Sequence, residues 1–351
     1  MSINKINQLI AKLFLFLLVF MFFSSIVTMC KRPYNQAQTI MSSLNNTFTI
    51  LGKFKLIRDF ARFDPLIKYK ISGSIISNTV KLGKNDFLFY LNPQDGDIVN
   101  DYLGQNLPPE TELIKLKNEY ERLEEYFSSC GAKVFFIFPP NKGEVYKEYM
   151  PEPYNNVTKT KSRQIVDFLV NNAKINIINP YEELCNYSNK YEVYYKKDTH
   201  WNTAGSYIAY SQFLKSALNI RTPTLDELPL KVATNFDDDI INMLNLKGYI
   251  EPSIDYRLEN VKADLMTNEQ TDIAFENERA AINKKVLLIG DSYRVSFAQH
   301  LNSAFSRLRV CRRDSVKQDV LTSFKPDIVI ILSVSRYITG ATELIKNALK
   351  L

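Results

Sequence analysis

Two short segments hold most of the chain's chemistry. Asp198-Thr199-His200-Trp201 supplies a carboxylate, an imidazole and an indole, and Gly290-Asp291-Ser292-Tyr293 supplies a hydroxyl beside a glycine. A serine becomes nucleophilic at neutral pH only with a base in hydrogen-bond reach, and that base needs a third group to orient it. The chain has two histidines, His200 and His300, and one tryptophan, Trp201. Asp198 and His200 are two residues apart, so in an extended segment their side chains project to one side. Asp198 would then fix the ring tautomer and leave the other nitrogen for Ser292. The bland alternatives are a structural histidine held by its neighbour and a serine that merely caps a helix. His300 follows Ser292 on the same predicted helix, roughly 12 Å along its axis, and reads as an ordinary helix residue.

These residues need a frame. Lys285-Val286-Leu287-Leu288-Ile289 predicts a buried strand, Gly290 a sharp turn, and the segment from Val295 a helix. Ser292 therefore falls at a strand-to-helix junction, where free first-turn N–H groups can stabilise an oxyanion. Further strands are expected at 85–91, 133–138, 175–178, 308–311 and 327–332. Between them, helices are expected from Thr111 to Gly131, over 161–172, over 204–217 and near 295–305, with a last one at the C-terminus. Leu113, Leu116, Tyr120, Leu123 and Phe127 form a core-facing stripe on the first of these helices. The alternation predicts an α/β domain of flavodoxin-like type, a parallel sheet with helices on both faces and its crevice at the strand carboxyl ends. Residues 220–280 break the rhythm and read as an insertion or lid. Their Asp237-Asp238-Asp239 run reads as a solvated turn, with a cation site as the alternative.

The bulk properties set limits. A chain of 351 residues with 45% hydrophobic residues can build a sizeable core. The net charge of +6 is scattered, with no basic block interleaved with aromatics, so a nucleic-acid partner is not expected. Cys30, Cys130, Cys185 and Cys311 are far apart and show no zinc spacing or disulfide framework, and neither metal nor cofactor is expected. Residues 13–29 run without a charge, near the lower limit for a membrane span and without a following cleavage signal. The expected organisation is a membrane anchor over 1–32, a connecting segment over 33–80 and a catalytic domain over 81–351. Lys31, Arg32, Lys53, Lys55 and Arg58 after the span favour a cytoplasmic body, although large domains cross largely regardless of flanking charge.

The paired motifs resemble the SGNH-hydrolase-like domain of alginate O-acetyltransferases of the AlgX and AlgJ type and of related bacterial DHHW proteins. The resemblance extends to Phe138-Pro139-Pro140-Asn141-Lys142, with Tyr146 following, and to Arg336-Tyr337, and so spans about residues 80–340. It implies a triad of Asp198, His200 and Ser292, in the order Asp-His then Ser that this family shows. It further implies an acetyl-serine intermediate, a polysaccharide acceptor and a membrane-bound O-acyltransferase as acetyl donor. The catalytic domain would then lie outside the cytoplasmic membrane, held by a single span. Tyr293, Trp201, Asn202, Lys142 and Arg336 are the candidates for substrate or oxyanion contacts. Lys142 and Arg336 read equally as surface charges, and Trp201 as a loop-packing residue. An esterase or deacetylase with the same triad, and a non-catalytic anchored scaffold, stand as the alternative functions.

Overall fold

The computed structural model describes residues 77–351 apart from 157, 236, 260 and 262–264, together with Leu66 and Tyr69. The expected anchor over 13–29 and nearly all of the connecting segment lie outside the described residues. No helix among the described residues is long and apolar enough to cross a membrane.

A hairpin of β1 (Val80–Leu82) and β2 (Leu88–Tyr90) comes first. Then follow α1 (Ile98–Leu103), α2 (Glu110–Ser129), β3 (Lys133–Ile137), α3 (Lys142–Val145), α4 (Lys161–Asn172), β4 (Ile177–Ile178) and α5 (Tyr181–Ser188). The middle of the chain gives α6 (Thr203–Leu218), β5 (Leu230–Asn235), α7 (Asp239–Met243), β6 (Ser253–Leu258) and β7 (Asp272–Glu276). The last part gives β8 (Ile282–Gly290), α8 (Arg294–Ala304), β9 (Phe305–Arg312), α9 (Gln318–Phe324), β10 (Ile328–Leu332) and α10 (Ile338–Leu349).

Six strands form the main sheet in the order β4-β3-β10-β8-β9-β7. Neighbours from β4 to β9 are parallel, with Ile331 of β10 paired to both Phe136 of β3 and Ile289 of β8. The central strands are apolar without a break because alternate residues serve opposite faces. Phe135, Leu288 and Ile330 join one core with α6 and α8, whereas Phe136, Leu287 and Ile331 join another with α2, α4 and α10. The predicted stripe on α2 is buried at Leu113, Tyr120, Leu123 and Phe127.

Two expectations need correction. The sheet is mixed, because β7 pairs antiparallel with β9 as an edge strand. The region taken for an irregular insertion supplies that strand, plus an antiparallel β5–β6 pair with α7 between its strands. β7 alternates between exposed and half-buried positions, so too few apolar residues mark it as a strand. Ile240 and Ile241 of α7, with Leu244 just after it, pack with Val80 and Leu88 of the first hairpin, fixing the insertion against the domain.

Candidate active site

Ser292 lies two residues beyond the end of β8. β8 ends at Gly290, where β10 lies too close for a side chain: a Cβ there would stand 2.9 Å from the Leu332 carbonyl oxygen. Asp291 then shapes the turn, its carboxylate accepting from Tyr293 N–H at 3.1 Å and from Val334 N–H at 2.8 Å. α8 begins at Arg294, and no side chain caps it. The Ser292 hydroxyl is thus free of capping duty and stands 2.7 Å from His200 Nε2. On the far side of the ring, Nδ1 lies 2.7 Å from Asp198 Oδ1. An Nδ1–H donated to Asp198 leaves Nε2 to accept the serine proton, the tautomer that general-base action needs. Asp198 and His200 come together as a turn around Thr199, for Asp198 Oδ1 also accepts the His200 backbone N–H at 2.8 Å.

The local electrostatics suit a proton relay. Burial opposes the charge on Asp198, but His200 and the N–H groups of Asp239 and His200 outweigh it and hold this carboxyl below its ordinary range. Burial likewise opposes a proton on His200, and Asp198 and Asp239 overcome it, raising the imidazole above its usual 6.5. The His200 side chain remains 26% exposed and Ser292 is half-buried, so a substrate can reach both. Ser292 N–H makes no hydrogen bond within the described residues and is available to an oxyanion. Tyr293 N–H is committed to Asp291.

The remaining predicted site residues divide sharply. Tyr293, Trp201 and Asn202 are fully buried and structural rather than substrate contacts. Tyr293 donates its hydroxyl to the Thr199 carbonyl at 2.7 Å, and Trp201 Nε1 donates to the Tyr293 carbonyl at 3.2 Å. These bonds tie the two motifs together from behind. Asn202 is the N-cap of α6, its side chain accepting from Gly205 N–H at 3.0 Å. Lys142 is no surface charge: it is 5% exposed, and its ammonium donates to the carbonyls of Tyr195, Lys196 and Asp198 at 3.1, 3.0 and 2.7 Å. Burial pulls this amine down to about 8, against the attraction of Asp198, Asp239 and Asp238.

Arg336 is also buried, at 6% exposure. Its Nη1 donates to Asn141 Oδ1 at 3.1 Å, and its guanidinium lies over the rings of Tyr337 and Tyr293 at 4.7 and 5.9 Å. Its Nε has no partner within the described residues, and its charge disfavours protonation of His200. Arg336, Asn141, Lys142 and Thr199 line a cavity of about 20 Å³ beside the triad loop. His300 does not enter the site. It is 1% exposed, and its Nε2 lies 2.9 Å from Ser206 Oγ.

The sequence pointed away from one residue that the structure brings in. Asp239, from the run read as a solvated turn, donates its N–H to Asp198 Oδ2 at 2.7 Å and accepts from Thr199 N–H at 2.8 Å. Its neighbour Asp238 is buried and accepts from Ser253 N–H at 2.7 Å. The only hint was the placement of three acids in a segment otherwise poor in pattern. Asp198, His200 and Asp239 bring ligand atoms within 4.8 Å of one another, the spacing of a metal cluster. The same atoms take part in hydrogen bonds with Ser292, with Thr199 and with one another.

Comparison with known proteins agrees with this fold. The profile of the SGNH hydrolase-like domain of acetyltransferase AlgX matches residues 80–310, well over half of the chain. A DHHW family protein from Eubacterium siraeum superposes with a TM-score of 0.56 at 17% identity, covering 79% of this chain and 97% of its own. Bacillus cereus PatB1 superposes at 0.54 with 13% identity, covering 75% of this chain and 98% of its own. A second PatB1 structure, which carries a sulfonyl adduct, gives 0.53 at 12% identity, with 75% and 96% covered. No curated protein sequence matches the chain significantly. The sheet, the junction that carries Ser292 and the extent of the profile match lead to one statement of kinship: the chain belongs to the AlgX family of SGNH hydrolase-like domains, whose chemistry is of the acyltransferase or esterase type.

Proposed function

We propose that the protein is an O-acetyltransferase that carries an acetyl group on Ser292 and delivers it to a hydroxyl of a cell-surface or secreted polysaccharide. The observation that carries this reading is the unbroken chain from Asp198 through His200 to an accessible Ser292, with both links at 2.7 Å. In the first half-reaction Ser292 Oγ attacks the acetyl carbonyl while His200 Nε2 takes its proton. The negative charge that develops on the carbonyl oxygen meets the Ser292 N–H. His200 then returns the proton to the departing oxygen, leaving acetyl-Ser292. In the second half-reaction His200 deprotonates the sugar hydroxyl, which attacks the acyl carbonyl and releases the serine. Positioned acid–base help of this kind contributes about 10²–10⁴-fold. The acetyl donor would be a membrane-bound O-acyltransferase, and residues 13–29 would hold the domain beside it on the outer side of the cytoplasmic membrane.

Three measurements test the reading. The full chain, incubated with an activated acetyl ester and quenched, should show one acetyl adduct on Ser292 by peptide mass spectrometry, and Ser292→Ala should show none. A sulfonyl fluoride should block the same residue. Adding an oligosaccharide acceptor should divert acetyl from water to sugar. Acetate release with no transfer at any acceptor concentration would assign the protein as an esterase.

A further inference from the structure

We infer that Asp239, supplied by the insertion rather than by either motif, is a positioning residue that sets the basicity and orientation of His200. The inference rests on the proposed acyl-serine chemistry for its consequence, though not for its geometry. Asp239 is the first residue of α7, and α7 is pinned to the domain through Ile240 and Ile241. From there it grips the motif loop at three points. Its N–H donates to Asp198 Oδ2 at 2.7 Å, one carboxylate oxygen accepts Thr199 N–H at 2.8 Å, and the other accepts the Thr199 hydroxyl. That second oxygen also stands 3.5 Å from His200 Nδ1, so the ring faces two carboxylates rather than one.

Two neighbouring carboxylates repel, and the imidazolium between them relieves the repulsion. Burial and Asp198 push the Asp239 carboxyl up to about 6. The other charges facing the group are Asp238 beside it, Lys142 of α3, which holds the Asp198 carbonyl, and Arg336 after β10, which opposes the proton on His200. Asp239 therefore acts on His200 in one direction: its negative charge makes the imidazole a stronger base.

Asp239→Asn keeps the backbone N–H to Asp198 and an acceptor for Thr199 while removing the charge. With two histidines in the chain, the imidazole signals of the full-length protein can be followed by NMR, His300 serving as the internal control. In Asp239→Asn the His200 titration should move to lower pH by about one unit. The acid limb of kcat/KM on an acetyl ester should move with it, and the rate at pH 8 should fall about tenfold. A His200 titration that stays in place would overturn the inference, whatever happens to the rate. Should Asp239→Asn fail to fold, Thr199→Val carries the test. Losing the hydroxyl donor favours protonated Asp239, and His200 must again titrate lower. The NMR readout needs no catalysis, so failure to find acetyl-Ser292 and failure of Asp239 to influence His200 are separate results.

Discussion

His200 and His300 sit in one domain and meet opposite electrostatic surroundings. Burial works against the charged form of both. At His200, Asp198 at 2.7 Å and Asp239 at 3.5 Å reverse that effect, and the imidazole becomes more basic than in water. At His300 no carboxylate among the described residues shifts the ring. Tyr210 and Tyr207 flank the ring, with centroids 5.4 and 5.6 Å away, and its Nδ1 has no partner within the described residues. Burial there pushes the pKa down to about 3. Ser206 Oγ donates to the Thr203 carbonyl at 3.1 Å and so accepts from Nε2–H, which makes His300 a neutral donor that joins α8 to α6. The difference shows that carboxylate contact, more than depth in the core, separates a base from a packing group in this fold.

The strongest way to break the comparison is to remove each ring in turn. His200→Ala should lower kcat/KM on an acetyl ester by about 10⁴-fold, since a triad acts as a unit. His300→Gln should leave it within about threefold and instead lower stability by about 1–3 kcal/mol, the usual range for disturbing a buried hydrogen bond. Comparable rate losses in both variants would show that the two surroundings do not differ in function.

Removing Lys142 tests what holds His200 in place. Lys142→Met fills much of the volume but leaves the carbonyls of Tyr195, Lys196 and Asp198 without their ammonium. Unfolding in urea should show a loss of about 2–4 kcal/mol. The rate should drop about 10–100-fold through misplacement of the loop, with no change in KM for a small ester. A rise in KM alone would return Lys142 to the substrate-binding role that the sequence allowed.

Stability against pH sharpens the comparison further. A neutral, buried His300 binds its proton far less readily than the unfolded chain does. Its contribution is therefore present above about 6.5 and lost as pH falls toward 3, at up to about 1.4 kcal/mol per pH unit. His300→Gln should flatten that acid slope in urea melts between pH 4 and 7. His200 works in the other sense. Its raised pKa contributes stability below the unfolded value, and that contribution disappears as pH rises through the folded value.

The same contrast explains what was legible in the sequence. Ser292, His200 and Asp198 could be brought together on paper because the motifs are local and the strand preceding Ser292 is unmistakable. The central strands were equally readable, since Val286–Ile289 and Ile328–Leu332 are apolar on both faces. Asp239 was not readable. Its role depends on a pairing of β5 with β6 and on α7 packing against Val80 and Leu88, contacts remote in sequence. Lys142 and Arg336 were misjudged as equally surface-like for a related reason: the carbonyls, amide and rings that enclose them come from other elements. Asn202 was misplaced although its signal was local, because an N-cap and an oxyanion donor call for the same residue types.

Asn202 offers the smallest effect and the finest discrimination. It lies between the two histidines, immediately after the His200 loop and at the start of the helix whose Ser206 meets His300. Its side chain accepts Gly205 N–H, and its amide donates to the Glu192 carbonyl. Asn202→Ser retains a cap, whereas Asn202→Ala loses it and should cost about 1–2 kcal/mol in urea unfolding. Under saturating ester at pH 8, both variants should keep kcat within about threefold, because the side chain points into the helix end and not toward Ser292's substrate. Had Asn202 been an oxyanion donor, kcat would fall about 10²–10³-fold in both, and Ser would not rescue it. The pair of variants thus separates support of the His200 loop from participation in the reaction by a stability change in one and a preserved rate in both.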